Sequence, residues 1–153
     1  MIIRKQDQYL VVQRKNDPSH AWKFAQGGVD EGETVVDTAL REAQEELGTT
    51  KFSVVHVSKY VNQYDWTEQG IDAHYRKTGV LFRGQEQRYI ILEFLGKETD
   101  INPSPDEIDH YKWISEEEVL EHNTNPDHDY FWNYNGCIST ILAEAKQKDL
   151  NTE

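Results

Sequence analysis

Three glutamates crowd one short stretch of the chain, Arg41-Glu42-Ala43-Gln44-Glu45-Glu46. On a helix, at about 100° per residue, Glu42, Glu45 and Glu46 share one side. Neighbouring positions lie about 5–6 Å apart, and like charges there cost a few tenths of a kcal/mol per pair even in water. A hard divalent cation reverses that sign, because oxygen-only ligands suit Mg²⁺, Mn²⁺ or Ca²⁺. Such a cation keeps open positions for phosphate oxygens. The bland alternative is a solvated acidic face, and the three glutamates alone favour it. Two neighbours shift the balance. Arg41 lies beside Glu45 on the helix surface and can orient a carboxylate. The segment also follows Gly27, Gly28 and Gly32, a loop that lets backbone approach a ligand closely.

A helix must present these carboxylates, and the sequence marks its ends. Thr34 with Asp37 is a capping-box signature. Val35, Val36, Ala39, Leu40, Ala43 and Leu47 fall at helical spacing, and Gly48 sits where a C-terminal cap belongs. The pattern predicts a helix over residues 35–47. Met1 to Arg4 is a short apolar-containing run before a turn at Gln6-Asp7. Tyr9 to Arg14, Lys51 to Val61, Arg88 to Phe94 and Ile108 to Ile114 read as strands. Residues 62–79 read as a long loop, polar and aromatic, of a length that marks function or motion. Ser115 with Glu118 is a second capping box and opens a short helix. A last helix is expected over residues 136–147, with Ile138, Ile141, Leu142 and Ala145 on one face. Strands interleaved with two or three helices predict an α/β sandwich with a mixed sheet.

A length of 153 residues fits one domain with a single core. The formal charge of −12 argues against a long nucleic-acid backbone as partner, which needs a basic stripe. It leaves room for a nucleotide held through bridging metal, or for the 5′ end of an RNA. The single cysteine, Cys137, excludes an intrachain disulfide and a Cys-rich zinc site, and reads as a small buried hydrophobe. No stretch approaches a membrane span and no signal-peptide pattern opens the chain, so a soluble cytoplasmic protein is expected. The histidines show no metal-ligand spacing. His20 lies near the loop that precedes the glutamate helix, and His110, His122 and His128 read as ordinary surface or interface residues.

Residues 27–49 resemble the Nudix box. That pattern is Gly, five residues, Glu, seven residues, Arg-Glu, an aliphatic, any residue, Glu-Glu, any residue, Gly, an aliphatic. Here Gly27, Glu33, Arg41-Glu42, Glu45-Glu46 and Gly48 fill every glycine and polar position. Ala43 and Thr49 occupy the two aliphatic positions and read as packing changes. Outside the box, Ala21 to Gly28, Gly84 to Tyr89, and Glu107-Ile108-Asp109 with Trp113-Ile114-Ser115 are similar to segments of two subgroups. These are the bacterial RNA pyrophosphohydrolases and the asymmetric diadenosine tetraphosphate hydrolases. Ala25 stands where those usually have Pro, either the first strand is short or the chain begins late, and residues 62–79 have no clear counterpart.

The resemblance implies one Nudix-type α/β/α domain over residues 1–153, with a mixed β-sheet between helices. It implies hydrolysis of a phosphoanhydride bond with one to three Mg²⁺ or Mn²⁺ ions. Glu42, Glu45 and Glu46 would hold metal, the Gly27 carbonyl would add an oxygen, and Glu107 would bring a further carboxylate. Glu42 is the first choice for general base, Glu46 the second and Glu107 the third. Arg41 would orient Glu45 or Glu33. Glu33, Gly28 and Gly48 are read as structural. Arg88 is the leading phosphate contact, with Arg14 and Arg83 behind it. Tyr60, Tyr64, Trp66 and Tyr75 could stack on a base. The leading substrate is a small-molecule dinucleoside polyphosphate such as diadenosine tetraphosphate, because Arg14 to Trp22 resembles that group better. The alternatives are an RNA 5′ pyrophosphohydrolase and, from another class, a nucleotide-sensing module that cleaves nothing. Oligomeric state is not legible.

Overall fold

Strand β2, Gln8–Arg14, anchors the architecture because Tyr9 to Val12 form an unbroken apolar run buried on both faces. It pairs antiparallel with β1 (Ile2–Lys5), β3 (Trp22–Lys23) and β6 (Ile108–Ser115). Strand β1 then runs parallel to β5 (Gly84–Phe94), which pairs antiparallel with β4 (Phe52–Asp65). The result is a six-stranded mixed sheet of order β3-β2-β1-β5-β4, with β6 joined to β2 off that path. The computed structural model describes residues 1–124 and 136–152. His128 lies outside them.

Successive strand residues point to opposite faces, and the two cores follow that alternation. Ile2, Val11 and Ile91 pack on one side with Ile138, Ile141 and Leu142 of α4 (Cys137–Thr152). Ile3, Leu10 and Ile90 pack on the other with Ala39, Ala43 and Leu47 of α1 (Val35–Leu47). Helix α3 (Glu116–Thr124) adds Val119 to the first side. The sheet therefore lies between helices, in an α/β/α sandwich. Cys137 is buried and free. Ala43 is fully buried, and Thr49 is nearly so, its Oγ1 accepting the Lys51 amide at 3.2 Å. Both small substitutions of the box are thus packed. Among the described residues, no helix is long and apolar enough to cross a membrane.

The ends of α1 match their sequence signals. Thr34 Oγ1 accepts the Asp37 amide at 3.1 Å, and Gly48 takes the left-handed conformation at φ 69°. Ser115 and Glu118 exchange the two bonds of a capping box before α3.

Residues 62–79 depart from the expected loop. Strand β4 continues to Asp65, opposite Gly84, so β5 also starts earlier than Arg88. Helix α2 then spans Glu68–Thr78, capped by Thr67 and by Gly79 at φ 72°. None of its residues is buried, so it carries no apolar stripe for periodicity to detect. Helix α4 also runs on to Thr152, beyond the expected end at residue 147.

Candidate active site

Packing Ala39, Ala43 and Leu47 against the sheet fixes the rotation of α1 and grades its three glutamates from solvent inward. The side chain of Glu45 is 54% exposed, that of Glu42 14% and that of Glu46 1%. Glu46 lies within the protein. Its Oε1 accepts from the Arg14 guanidinium at 2.5 Å, and the same Arg14 nitrogen donates to the Gln26 carbonyl at 2.7 Å. Its Oε2 is buried and has no hydrogen-bond partner among the described residues. Burial pushes the Glu46 carboxyl up to about 7; Arg14 pulls it down, and the Glu107 and Glu42 carboxylates push it further up.

Glu107 is exposed, just before β6, and its field at Glu46 shows that the topology brings it to the same end of the site. The loop before it is tied to the end of α1 by backbone bonds from Asn102 to Leu47 and from Ser104 to Glu46, each 2.8 Å. Lys15 N donates to the Glu107 carbonyl at 2.9 Å, which fixes the backbone of Glu107 beside β2.

Arg41 organises the outer half. It grips Glu33 with two nitrogens, at 2.7 and 3.0 Å. It also donates to Glu42 Oε1 at 2.9 Å, to Glu45 Oε2 at 3.3 Å and to the Gly28 carbonyl at 3.0 Å. The guanidinium, and then the Thr38 hydroxyl, hold the Glu33 carboxyl down to about 2. Glu33 thus braces the glycine loop against α1. Gly27 has a steric reason: a Cβ there would stand 2.0 Å from Glu42 Cδ, whereas one on Gly28 would meet nothing within 4 Å.

Among the described residues, no three acidic, histidine or cysteine side chains already close round one point. Arginines hold them instead, Arg41 on Glu42 and Glu45 and Arg14 on Glu46. The donor set is nevertheless all carboxylate oxygen, and Glu46 Oε2 is a buried acceptor that no described protein group satisfies. Both features fit a hard divalent cation.

A cleft of about 500 Å³ opens beside Glu42. Loop residues from Phe24 to Val29 and the first turns of α1 form one side, and β5 from Gly84 to Ile90 forms its floor. Trp66, His74 and Phe82, around α2, complete it. Of the residues singled out by sequence, Gly27, Gly28, Glu42, Trp66 and Arg88 meet in this cleft. Arg88 is paired with Glu86 there, at 2.9 Å. Arg14 sits behind the cleft with Glu46. Tyr64, Tyr75 and Arg83 are not lining residues: the Tyr64 hydroxyl bonds the Gln85 side chain, Tyr75 is exposed, and Arg83 is exposed with its carbonyl accepting from Trp66 N. Sequence reasoning missed His74 and Phe82, and the caps at Thr67 and Gly79 were the signal that could have found the helix carrying His74.

A family model described as the NUDIX domain matches residues 1–133. The RNA pyrophosphohydrolase of Rickettsia africae is 35% identical over 123 residues, spanning 78% of this chain and 74% of that protein. That of Gluconobacter oxydans is 34% identical over 121 residues, spanning 76% and 69%. Among solved structures, the E. coli dihydroneopterin triphosphate pyrophosphohydrolase superposes with a TM-score of 0.65 at 20% identity, covering 93% of this chain and 92% of that one. The C. elegans Ap4A hydrolase, in a binary complex, gives 0.54 at 19% identity, covering 78% and 80%. These two likenesses speak to the fold alone.

Proposed function

The chain belongs to the Nudix family of hydrolases, enzymes that cut phosphoanhydride bonds in nucleotide substrates, and from that premise we propose that it removes pyrophosphate from the 5′ end of RNA. The observation that carries the choice of substrate is the 34–36% identity to RNA pyrophosphohydrolases over most of the chain. The dinucleoside polyphosphate favoured by the sequence loses its lead, because the likeness to the Ap4A hydrolase structure rests on 19% identity. The net charge of −12 suits contact with a chain end rather than with a long backbone.

In this reading Glu42, Glu45, Glu46 and Glu107 hold divalent cation, with the Gly27 carbonyl as a further oxygen. Bound there, Mg²⁺ or Mn²⁺ would neutralise charge on the phosphate oxygens and acidify the attacking water. Glu42 takes the proton of that water. Arg41 donates to one lone pair of Glu42 Oε1, which keeps the other for the cation, and leaves Oε2 to accept the proton. The water oxygen bonds to phosphorus, the anhydride P–O bond breaks, pyrophosphate leaves with the bridging oxygen or with the attacking one, and the RNA keeps its 5′-monophosphate. Arg88 can leave Glu86, since both side chains are about half exposed, and turn to a phosphate. Arg14 holds Glu46 in place while its second oxygen stays open.

The test is parallel incubation with Mg²⁺ of a 5′-triphosphorylated RNA oligonucleotide and of diadenosine tetraphosphate. Conversion of the RNA to its 5′-monophosphate with the higher kcat/KM is expected. Turnover of diadenosine tetraphosphate alone would return the substrate to the dinucleotide class. Tight binding without turnover of either would make the chain a sensor.

A further inference from the structure

One wall of the cleft serves the hydrolytic chemistry, and the other carries groups that this chemistry does not use. That second wall is a row of three rings: Trp66 after β4, His74 on α2, and Phe82 on the segment that leads into β5. Trp66 and His74 have centroids 5.0 Å apart, and so do His74 and Phe82. Helix α2 buries no residue, so it adds little to the core. What it does is bring His74 between the two other rings. Phe82 keeps 51% of its surface exposed and follows Val80 and Leu81, which are exposed as well, so three consecutive large apolar residues face solvent. His74 Nε2 is buried and has no hydrogen-bond partner among the described residues. A buried polar atom left unpaired in a native protein calls for a reason, and a ligand is one. The cleft, about 500 Å³, has the size of a small-molecule site, and Glu42, Gly27 and Gly28 lie on its other side.

We propose that Trp66, His74 and Phe82 form the nucleobase subsite, stacking on the first base of the substrate while its phosphates reach Glu42. The proposal rests on the nucleotide-hydrolase reading and adds to it the group that holds the substrate's base. Every base has a π-face, so the rings accept any base and hold the larger purines more tightly. His74 Nε2 supplies the polar contact to the base edge.

Calorimetric titration of the whole chain with AMP and with ribose 5-phosphate, both in EDTA, isolates the base from the phosphate and from metal. AMP should bind about 5- to 150-fold more tightly than ribose 5-phosphate, the range expected for one stacked base. Trp66→Ala and Phe82→Ala should each reduce that advantage, Trp66→Phe should keep most of it, and ribose 5-phosphate affinity should not move. His74→Ala should reduce it as well. Equal binding of the two ligands, or no AMP binding at millimolar concentration, overturns the proposal. So does an intact advantage in Trp66→Ala with a native circular dichroism spectrum. If Trp66→Ala does not fold, Phe82→Ala decides, because its ring is half in solvent already. An intact AMP advantage without hydrolysis of any RNA end would overturn the proposed reaction and spare the subsite; hydrolysis without the advantage would do the reverse.

Discussion

Arg14 and Glu46 are bonded at 2.5 Å between β2 and the last turn of α1, and the bond uses only one of the two Glu46 oxygens. A buried carboxylate that the described residues satisfy on one side only is poorly placed as a mere stabilising pair. Removing one partner of a buried pair is costly, but so is leaving half of it unsolvated. The arrangement makes sense when a second positive charge arrives on the open side.

Glu46→Gln keeps the shape and one hydrogen bond to Arg14 but removes the charge. Its expected effect is a fall in turnover of about 100-fold or more, with a lowered thermal midpoint, because Arg14 keeps a hydrogen bond but loses the charge of its buried partner. Steady-state kinetics beside a thermal melt check both halves. Glu42→Gln, which takes away the proton acceptor, should cost about 10²–10⁴-fold in kcat.

Gly27→Ala and Gly28→Ala form a matched pair. The first puts a methyl group into the Glu42 carboxylate and must displace side chain or loop, at about 1–3 kcal/mol. The second meets open space. Turnover should drop sharply in Gly27→Ala and stay within a few-fold in Gly28→Ala, as initial rates would show.

Arg41→Lys tests whether Arg41 acts by geometry or by charge. Lysine retains the charge but cannot grip Glu33 with two nitrogens while reaching Glu42 and the Gly28 carbonyl. The expected result is a fall in kcat larger than the change in KM. The stability loss should be small, because Arg41 and its partners are partly solvated. Equal kinetics in the lysine variant would reduce Arg41 to a surface charge.

Much of this site was legible in the sequence, and the parts that were not have physical reasons. Helix α1 was readable because its caps and its apolar stripe act within one or two turns, and the Glu33–Arg41 brace spans only the box. The burial of Glu46 was not readable. Its partner Arg14 is 32 residues away on β2, and no local pattern announces a carboxylate turned into the protein. Helix α2 escaped notice because it packs nothing into the core. The outer halves of β4 and β5 escaped because polar residues pair there, such as Gln63 with Glu86. The aromatic wall is only half legible in the sequence: Trp66 stands out as a stacking candidate, while His74 reaches it on the exposed helix α2 and Phe82 on the segment that leads into β5.

Acid should loosen the brace before it touches the core. The Glu33 carboxyl lies at about 2 in the folded protein, against 4.5 when free. A depressed carboxyl contributes stability that is present above about 4.5 and is lost as pH falls toward 2. Denaturant unfolding at a series of pH values should show the parent losing stability more steeply through that window than Glu33→Gln. Parallel curves would remove Glu33 from the explanation.

The most direct measurement is the rate of pyrophosphate release from a 5′-triphosphorylated RNA by the parent and by Glu46→Gln across a magnesium series. Release that rises with magnesium in the parent, vanishes in EDTA and is nearly absent in Glu46→Gln is the expected result. Release that persists in EDTA, or that Glu46→Gln leaves unchanged, would contradict the assignment of the α1 carboxylates to a metal-held phosphoanhydride.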